Sequence, residues 1–571
     1  MKVVIVGGVA GGASAAARIR RLDEQAQIVI FERSGFVSYA NCGLPYYIGG
    51  TIKDKRALTL QTPQSFFSRF AIDVKVHHEV MEINRKKKTV TVRNLETGEN
   101  FEESYDKLIL SPGARPIYPD MPNINSKYIF TLRTVEDTFR ISDAVNSQKP
   151  RSAVVIGGGF IGVEMAENLN ERGLNVTLVE RQPQLLGQLD EDMASFVHAQ
   201  MKNHGVRLLC SRSVSGFEEL NDGKNRVKVL IENEQPVLTD MVILAIGVIP
   251  DSALAENAGL ELGFKNSIVV NEYMQTSDED IYAVGDAVEI INSVTGAKTT
   301  VPLAGPANKQ GRLAADNICG FIRKYKGTVG VSVIKVFDMT AASVGLNERA
   351  ASAVGIEYEK IILSPASHAS YYPGGSVMTL KLLFERETER ILGAQIVGFD
   401  GVDKRIDVLS TAMQTGIRVS ELSELDLAYA PPYSSAKDPI NMAGFVAQNV
   451  LNGTVKQFFY EDLAKLDGEN MILLDTRTYA EYESGHADGF DTHIPVDDLR
   501  DRMCELDSSK PVYVMCQSGL RSYLACRILS QNGFDCFNFA GGYRLYESIK
   551  TNNFDVKSNT SCGAELFAAK R

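Results

Sequence analysis

The chain has 571 residues, of which 44% are hydrophobic and 23% charged, and its formal net charge is −11. This length allows about four domains at roughly 150 residues each. No stretch approaches the roughly 20 apolar residues of a membrane span, and the strand-like MKVVIVGG at the start is not a basic export signal. The negative charge argues against a nucleic-acid partner held by bulk electrostatics. We expect a cytoplasmic protein with no membrane and no nucleic-acid partner.

The eight cysteines show no C-x-x-C pair and no metal-ligand spacing, so we expect no metal site. Most of them should be small buried hydrophobic residues in a reducing compartment. Cys562 lies in a polar C-terminal stretch and receives no role. A chemical role can therefore be assigned to a cysteine only where the residues around it favour one.

The first predicted unit is a strand, a glycine turn, a helix and a second strand. An apolar run ends at Gly7, an alanine-rich helix is predicted from about Gly11 to Leu22, and the second strand ends at Glu32. This order is typical of a dinucleotide-binding βαβ unit, whose helix N-terminus receives a pyrophosphate. Val9 stands where the second glycine of the usual G-x-G-x-x-G turn lies. The pattern still favours a nucleotide-binding unit over an ordinary strand-to-helix turn.

A second unit of the same kind is AVVIGGGFIGVEMAENLNERGLNVTLVE. Gly157, Gly159 and Gly162 separate an apolar strand from a helix, and the next strand ends at Glu180. A carboxylate at this place binds a ribose diol and repels a 2′-phosphate, which favours NADH over NADPH, although Arg181 beside it reduces that preference. Two dinucleotide sites in one chain indicate a flavin and a nicotinamide, between which hydride passes.

Three further stretches extend this pattern. LILSPGARP (108–116) and VILAIGVIP (242–250) are apolar strands that end in glycine and proline, as crossovers between two nucleotide domains do. TSDEDIYAVGDAV (276–288) predicts a strand that ends at Gly285 with Asp286 exposed beyond it. With these stretches the chain resembles the flavoprotein disulfide reductases that have two dinucleotide-binding domains. The resemblance implies that Asp286 holds the ribityl and phosphate region of FAD.

The stretch SYANCGLPYYIGG (38–50) contains one cysteine, Cys42. A cysteine pair would store two electrons as a dithiol. A single cysteine leaves two chemistries open: a sulfenic acid that reduces peroxide or oxygen, and a mixed disulfide with a small thiol. Either chemistry needs a stabilised thiolate, for which an oxidised flavin and nearby helix N-termini would supply a positive field.

SYANCGLPYYIGG resembles the cysteine motif of the coenzyme A disulfide reductases. SHASYYPGG (367–375) and LAYAPPYSSAKDPINMAG (427–444) resemble the same branch. The resemblance implies that Cys42 is the redox nucleophile, that Tyr371 and Tyr429 are active-site tyrosines acting on the cysteine of a partner subunit, and that Lys437 contacts coenzyme A. It thereby favours the mixed disulfide.

Ser14, Arg18 and Arg21 are spaced by four and three residues, so they share one face of the first helix. Arginine suits phosphate because its planar guanidinium donates two hydrogen bonds at once. Without the resemblance, a solvated helix face is the simpler interpretation. The resemblance implies that the three residues bind the phosphates of coenzyme A.

The region 458–571 resembles a single rhodanese domain through LLDTR, GHADG and CQSGLR. The last motif predicts a tight loop between a strand and a helix, whose N–H groups and Arg521 stabilise a thiolate or persulfide on Cys516. Gln517 replaces the basic residue that often follows this cysteine, which weakens the expectation of thiosulfate as a donor. Cys526 and Cys536 are predicted to be core residues.

The resemblances imply an α/β chain with two Rossmann-like domains of the glutathione-reductase type, an α+β dimerisation domain and a C-terminal α/β rhodanese domain. The expected boundaries are 1–115 and 248–325 for FAD binding, 116–247 for NAD binding, 326–450 for dimerisation and 458–571 for rhodanese. A homodimer with an active site shared between subunits is implied by the family.

The resemblance also implies three sets of site residues. The expected FAD contacts are Gly7, Ala10, Gly11, Gly12, Glu32, Arg33, Asn41, Val80, Ser111, Gly113, Asp286 and Ala304. The expected NADH contacts are Gly157, Gly159, Ile161, Gly162, Glu164 and Glu180. The expected coenzyme A contacts are Ser14, Arg18, Arg21, Ser38, Asn41, Asn308 and Lys437.

Together these features predict an NADH-dependent flavoprotein that reduces coenzyme A persulfide, polysulfide or disulfide and releases sulfide. Its rhodanese domain would carry persulfide sulfur. Three alternatives stay open: a coenzyme A disulfide reductase for thiol homeostasis, an NADH oxidase or peroxidase, and a redox sensor with little turnover.

Overall fold

The computed structural model describes residues 1–220, 226–466 and 468–551, so Cys562 and the polar tail around it lie outside the described residues. The chain forms two compact units. The first contains Met1–Gln182 and Val206–Thr328, and the second contains Pro183–Gly205 and the described residues from Val329 onward. In the described ranges, no helix has both the length and the apolar character needed to cross a membrane.

The first unit opens with the predicted βαβ fold. Val3, Ile5 and Ile30 are fully buried in its strands, and the helix covers one face with alanines that let it pack closely. The parallel sheet contains, in spatial order, Ile281–Ala283, Lys107–Leu110, Lys2–Val6, Gln27–Glu32 and Asp73–Val76. The antiparallel strands beside it are His78–Asn84, Thr89–Asn94 and Asn100–Ser104.

A second parallel sheet in this unit contains Arg207–Leu209, Asn175–Val179, Ser152–Ile156, Met241–Leu244 and Ile129–Thr131. Its antiparallel neighbours are Val214–Glu219, Val227–Ile231 and Val237–Thr239. The two predicted crossovers pair with each other, Ala114–Pro116 against Val248–Pro250, and Ile290–Ile291 pairs with Lys298–Thr299. The two nucleotide-type sheets are thus joined at the two segments that end in glycine and proline, which the sequence predicted to be crossovers.

The two helices predicted after the glycine turns are present in the first unit, and the first of them begins at Ala10, one residue before the expected start. The α-helices are Ala10–Leu22, Leu44–Gly49, Pro63–Phe70, Val135–Gln148, Phe160–Glu171, Ala253–Asn257 and Ala304–Ile318. Short 3₁₀ turns span Asn41–Gly43, Lys55–Leu58 and Phe264–Asn266. The helix Glu191–Asn203 belongs to the second unit.

The second unit contains an antiparallel sheet in the region predicted for dimerisation. Its strands, in spatial order, are Ser332–Val336, Met339–Gly345, Ile391–Gly398, Thr379–Phe384 and Glu359–Leu363. The helical segments of this region are Glu348–Ala353, Val402–Thr415, Ser420–Glu424 (3₁₀) and Pro439–Leu451. Every residue of Thr379–Phe384 and Ile391–Gly398 is buried, so these two strands form the centre of the region.

The predicted rhodanese region is a parallel sheet covered by short helices. The strands, in spatial order, are Lys456–Phe458, Cys536–Phe539, Val512–Met515, Ile472–Asp475 and Thr492–His493. The helical segments are Tyr460–Lys465 (3₁₀), Tyr479–Glu483, Leu499–Arg502, Met503–Glu505 (3₁₀), Leu520–Gln531 and Gly542–Thr551. Cys526 and Cys536 belong to its buried apolar cluster, as predicted. The mixed α/β architecture agrees with the expected fold class.

A buried ion cluster joins the segment 183–205 to the antiparallel sheet of the second unit. The ammonium group of Lys381, which is fully buried, lies 3.0 Å from Asp190 and 2.8 Å from Asp192 and also contacts Glu348. The carboxylate oxygens of these three acids lie within 4.8 Å of one another. Burial disfavours the ammonium ion, but the carboxylates outweigh this and raise the pKa of Lys381 above its usual value.

Replacing Lys381 with methionine should destabilise the second unit by about 3–5 kcal/mol, because the buried carboxylate of Asp190 and the partly buried carboxylate of Asp192 would lose the ammonium of Lys381, whereas Glu348 keeps its ion pair with Lys360. Urea unfolding followed by far-ultraviolet circular dichroism measures the change. Lys456→Met is the control, since Lys456 and Asp535 form a pair with both side chains more than half exposed, and it should cost about 1 kcal/mol or less. Equal losses for the two variants would contradict the assigned importance of the buried cluster.

Candidate active sites

The first glycine turn is packed too tightly to accept a side chain at Gly7 or Gly12. Gly7 has φ +91°, and a Cβ atom there would lie 2.1 Å from the carbonyl oxygen of Ser111. A Cβ atom on Gly12 would lie 2.0 Å from the carbonyl oxygen of Gly7. The backbone N–H of Gly12 donates to the Ser111 hydroxyl at 3.1 Å. The helix therefore starts against the sheet edge, which is the arrangement that a pyrophosphate-binding turn requires.

In both nucleotide-type units, the acid at the C-terminal end of the second strand accepts a hydrogen bond from the glycine turn. The N–H of Gly8 donates to Glu32 Oε2 at 2.9 Å, and the N–H of Gly158 donates to Glu180 Oε2 at 2.5 Å. Gln182 also donates its N–H to Glu180 Oε1 at 2.7 Å. Beside this second turn, a Cβ atom on Gly159 would meet no atom of the described part of the chain within 4 Å, so the turn leaves space for a ligand.

Asp286 differs from the sequence expectation. Its strand ends at Ala283, before Gly285, and its side chain is only 16% exposed. The guanidinium of Arg133 covers the carboxylate and donates to it at 2.8 Å. The expectation of an exposed Asp286 was wrong because the sequence pattern did not reveal this distant partner.

The exposed residue Cys42 lies in the 3₁₀ turn Asn41–Gly43, just before the helix Leu44–Gly49. Although part of its surface meets solvent, partial burial raises the pKa of its thiol, and the carboxylates of Glu164 and Asp286 raise this pKa further. Arg133 acts in the opposite direction but does not cancel the rise. The surrounding side chains therefore favour the thiol over the thiolate at Cys42.

Glu164 connects this cysteine region to the second nucleotide unit. It lies on the helix Phe160–Glu171, and the hydroxyl of Tyr46 donates to its Oε1 at 3.4 Å. Burial, with a contribution from the nearby Glu167, raises the pKa of Glu164 to about 7. A carboxyl group beside Cys42 therefore changes charge near neutral pH.

Asn41 supplies a test of whether the site fits a cofactor or substrate. Its side-chain Oδ1 is buried and has no hydrogen-bond partner among the residues that the structure describes. A buried acceptor of this kind costs free energy unless a ligand donor satisfies it. Together with the close-packed turn at Gly7 and Gly12, this acceptor fits the expected role of Asn41 in holding FAD or coenzyme A.

The structure brings several predicted coenzyme A residues together on two packed helices. The hydroxyl of Ser14 donates to Asn308 Oδ1, and Arg18 Nε donates to Asp316 at 2.6 Å. Arg21 lies one turn further along the first helix and is exposed. Of the two predicted phosphate-binding arginines, Arg18 thus already has a carboxylate partner, which sequence reasoning missed.

Tyr371 and Tyr429 are also brought together, within the second unit. Their hydroxyl oxygens lie 2.7 Å apart, and both side chains are exposed, by 73% and 47%. This hydrogen bond raises the pKa of Tyr371 above that of free tyrosine. Lys437, in the same unit, is exposed. Cys42 belongs to the other unit, so the predicted cooperation of the tyrosines with a partner's Cys42 stays a prediction.

Cys516 lies at the end of the strand Val512–Met515, and the following loop folds around its sulfur. The N–H of Gly519 donates to Sγ at 3.1 Å, and the hydroxyl of Ser522 donates to Sγ at 3.2 Å. Cys516 and Ser522 are fully buried. These donors can stabilise negative charge on the sulfur of a thiolate or persulfide. Sequence reasoning identified the loop but missed Ser522, although it directly follows the Arg of the motif.

Arg521 binds a carboxylate. Its two terminal nitrogens donate to the two oxygens of Glu481 at 2.7 and 2.6 Å. Burial opposes the charge of Glu481, but Arg521 outweighs it and lowers the pKa of that carboxyl. This bidentate ion pair joins the sulfur loop to the helix Tyr479–Glu483. The predicted role of Arg521 toward Cys516 stays a prediction, and Glu481 is a further residue that sequence reasoning missed.

The last helix begins directly against the backbone of the sulfur loop. Gly542 has φ +66°, and a Cβ atom there would lie 2.6 Å from backbone atoms of Gln517 and Ser518. The N–H of Tyr543 donates to the carbonyl of Cys516 at 2.7 Å. The conformation of the sulfur loop therefore depends on this helix as well as on the sequence of the loop.

The remaining predicted cofactor residues lie in the first unit without a contact that assigns their role. Val80 is buried in the antiparallel sheet, and Ala304 is the first residue of the helix Ala304–Ile318. Gly113 has φ +75° and lies beside the Arg133 guanidinium. The exposed Arg33 pairs with Asp251 at 2.8 Å. Gly11, Ile161 and Gly162 lie at the starts of their helices, and Ser38 has a positive φ of 48°.

Comparison with protein families gives three matches along the chain. The description "Pyridine nucleotide-disulphide oxidoreductase" matches residues 1–311, its dimerisation domain matches residues 331–439, and "Rhodanese-like domain" matches residues 460–548. The order of these matches is the order of the predicted domains.

Individual proteins give the same result. A coenzyme A disulfide reductase of Staphylococcus epidermidis is 38% identical over 448 residues, which cover 78% of this chain and all of that protein. The crystal structure of reduced Bacillus anthracis CoADR-RHD is 47% identical, with a TM-score of 0.93 over 97% of this chain and 98% of that one. The NAD-dependent persulfide reductase from A. fulgidus is 38% identical, with a TM-score of 0.90 over 96% of this chain and all of that one.

Ser522→Ala should slow sulfur transfer through Cys516 by about tenfold, because a hydrogen bond to an ionised group contributes about 1.5 kcal/mol or more. Ser522→Thr keeps the hydroxyl and should retain most of the rate. The measurement is persulfide formation on the Cys516 peptide, followed by mass spectrometry in a Cys42→Ser background. Equal rates in the alanine and parent proteins would show that the hydroxyl does not act on the sulfur.

Glu164→Gln should lower the pKa of Cys42, because it removes a negative charge that raises this pKa. The carboxyl of Glu164 is charged only above its own pKa of about 7. The variant should therefore react faster than the parent above pH 7 and alike below it. The rate of Cys42 alkylation by iodoacetamide, followed from pH 6 to 9, measures this. Glu24→Gln, at an exposed site, is the control, and a uniform change at all pH values would contradict the electrostatic explanation.

Proposed function

Because the chain belongs to the pyridine nucleotide-disulphide oxidoreductase family, we propose that this FAD-dependent enzyme uses NADH to reduce coenzyme A persulfide, or a related polysulfide or disulfide, through Cys42. The rhodanese domain carries sulfane sulfur on Cys516. The observation that supports both parts best is the presence of two different cysteine sites, an exposed Cys42 beside a nucleotide turn and a buried Cys516 whose sulfur accepts two hydrogen bonds.

The overall reaction is coenzyme A persulfide + NADH + H⁺ → coenzyme A + H₂S + NAD⁺. Bound FAD would supply the transfer of two electrons from reduced nicotinamide to the sulfur bonded to Cys42. Residues that would hold FAD are those of the first glycine turn with Glu32, Asn41 and Asp286, and those that would hold NADH are the second glycine turn with Glu180. The direct relatives include a coenzyme A disulfide reductase and an NAD-dependent persulfide reductase, which supports this substrate class.

Cys42 performs the covalent step. Once the Cys42 thiol has lost its proton, the thiolate attacks one sulfur of the substrate S–S bond and forms a new disulfide or persulfide with Cys42, while the other sulfur leaves as a thiolate or hydrosulfide. Two electrons then cleave the new S–S bond, Cys42 is restored, and the second product leaves. Glu164, with a pKa of about 7, is suited to give or take a proton near this sulfur.

Tyr371 and Tyr429 are proposed to protonate or stabilise the leaving thiolate from the partner subunit of a homodimer. Their hydroxyls are exposed and hydrogen-bonded to each other. Each hydroxyl has one O–H donor, and only one of the two is used between them, so the other can donate to a leaving thiolate. The match to a dimerisation domain supports the homodimer.

Anaerobic NADH oxidation by the purified enzyme tests the proposal. Coenzyme A persulfide should give turnover that Cys42→Ser abolishes, whereas Cys504→Ser, at another exposed cysteine, should leave the rate unchanged. Cys516→Ser should keep the rate with preformed coenzyme A persulfide but lose turnover with donors that must first load the rhodanese domain.

Other outcomes identify the alternatives. A preference for coenzyme A disulfide that Cys516→Ser does not alter would indicate a thiol-homeostasis reductase with a separate sulfurtransferase. Turnover with oxygen or peroxide alone would indicate an NADH oxidase or peroxidase. Full rates of Cys516→Ser with every sulfur donor would exclude delivery of sulfur from Cys516 to Cys42.

A further inference from the structure

The two exposed tyrosines of the second unit lie on separate surface segments. Tyr371 lies in the segment 367–376 and Tyr429 in the segment 429–438, which we call the two tyrosine segments. Their hydroxyls are joined by one hydrogen bond of 2.7 Å. Water competes for both hydroxyls at the surface, so this bond contributes little net free energy. The tyrosine segments therefore need further contacts that fix them to each other.

A buried arginine binds both tyrosine segments. Arg405 lies in the first turn of the helix Val402–Thr415 and is fully buried. Its Nη2 donates to the carbonyl of Ser367 in one segment at 3.0 Å. In the other segment it donates to the carbonyl of Tyr433 at 3.3 Å and to the hydroxyl of Ser434 at 3.1 Å. One planar guanidinium thus connects the two segments.

Asp438 balances the charge of this arginine. Nη2 of Arg405 donates to its Oδ2 at 2.9 Å, and the hydroxyl of Ser434 donates to the same oxygen at 2.7 Å. Burial disfavours the ionised carboxyl, but the N–H of Ile440, the hydroxyl of Ser434 and the guanidinium of Arg405 outweigh burial and lower its pKa. Lys404 lies 3.6 Å from the same oxygen. The carboxylate therefore stays ionised opposite the arginine at neutral pH.

Backbone hydrogen bonds extend this connection to the tyrosines. The N–H of Ala369, two residues before Tyr371, donates to the carbonyl of Ser434 at 3.1 Å. The N–H of Ser434 donates at 3.2 Å to the carbonyl of Ala430, which directly follows Tyr429. Ser434, which is fully buried, is therefore bonded close to both tyrosines along the chain.

The start of the helix leaves room for the guanidinium at position 401. Nη1 of Arg405 donates to the carbonyl of Gly401 at 3.2 Å, and a Cβ atom on this glycine would lie 2.1 Å from Nη1. Gly401 also has φ +68°, a conformation that glycine adopts more readily than other residues. Two independent requirements thus select glycine where the arginine side chain folds back over the start of its helix.

We propose that Arg405 is a positioning residue: it holds the two tyrosine segments together and thereby keeps the hydroxyls of Tyr371 and Tyr429 in hydrogen-bond contact. The inference rests on the proposed function, in which this pair protonates or stabilises the leaving thiolate. Arg405 is too deeply buried to meet a substrate, so it acts only through the tyrosines. A proton donor works only within hydrogen-bond reach of its acceptor, so separation of the two segments should slow this step.

Arg405→Lys tests the proposal. It keeps a positive charge near Asp438 but replaces the forked guanidinium by a single ammonium, which cannot bond to both tyrosine segments. A fluorotyrosine at position 371, titrated by fluorine NMR, reports the hydroxyl contact, because the hydrogen bond with Tyr429 raises the pKa of Tyr371. Arg405→Lys and Tyr429→Phe should each lower this pKa, whereas Arg386→Lys, at an exposed ion pair of the same unit, is the matched control and should not.

The two substitutions combined separate positioning from a general structural effect. In a Tyr429→Phe background, Arg405→Lys should not shift the titration of Tyr371 further. A further shift there, or a titration that Tyr429→Phe alters and Arg405→Lys does not, would overturn the proposal. Ser434→Ala removes the hydroxyl between Arg405 and its carboxylate and should lower the pKa of Tyr371 as well. If Arg405→Lys does not fold, an unchanged titration in Ser434→Ala overturns the proposal instead.

Turnover distinguishes this proposal from the proposed reaction. With coenzyme A persulfide, Arg405→Lys should lower kcat by about tenfold, a part of what a positioned proton donor contributes, and leave KM for NADH unchanged. It should cause no further loss in the Tyr371→Phe/Tyr429→Phe double variant, and a tenfold loss there would contradict a role through the tyrosines. If the parent enzyme does not reduce the persulfide, only the proposed reaction fails, and the titration of Tyr371 decides the role of Arg405.

Discussion

The buried charge of Lys381 is the interaction on which the arrangement of the second unit depends. A fully buried ammonium ion is tolerated only with compensating charges, and its partners Asp190 and Asp192 come from a segment that lies far from it in sequence. The chain leaves the second nucleotide-type sheet after Gln182 to supply these acids and returns to it at Val206. Lys381 thus binds the helix Glu191–Asn203 within the second unit, although this helix lies between two strands of the nucleotide-type sheet in the sequence.

The same helix contacts the rhodanese region directly. The hydroxyls of Ser195 and Ser548 lie 2.6 Å apart in the buried interior, and the guanidinium of Arg544 lies 5.4 Å from the ring centre of Phe196. The helix that carries Ser548 and Arg544 begins against the Cys516 loop. A continuous set of buried contacts therefore fixes the sulfur loop to the segment 183–205. This makes rigid-body motion of the sulfur loop relative to that segment costly.

Sequence reasoning predicted the features that depend on local pattern. The two βαβ units and the crossovers follow from apolar strands and glycine turns, whereas the dimerisation region and the rhodanese domain were implied only by the family resemblance, which the family matches confirm. It missed ion pairs between residues distant in the chain, such as Arg18 with Asp316 and Arg133 with Asp286. Long-range charge pairing leaves no periodic trace in a single sequence, so the burial of Asp286 was not predictable.

For the candidate sites, the sequence identified the nucleophiles but not the groups that tune them. Cys42 and Cys516 were predicted from their motifs, whereas the carboxyl of Glu164 beside Cys42 and the hydroxyl of Ser522 on the Cys516 sulfur became evident only in three dimensions. Glu164 was assigned to the nucleotide on family grounds alone. The reactivity of a thiol depends on charges within a few ångströms, and these come from several segments at once.

The approach of Gly542 to the sulfur loop limits how this domain can be re-engineered or can diverge. The atoms that a side chain at position 542 would meet belong to the backbone of Gln517 and Ser518 and to the carbonyl oxygen of Cys516, so no change of rotamer could relieve the overlap. The hexapeptide CQSGLR is therefore not a portable motif. Transplanted onto another scaffold, it would keep its shape around the sulfur only together with a helix that starts at an equally close glycine.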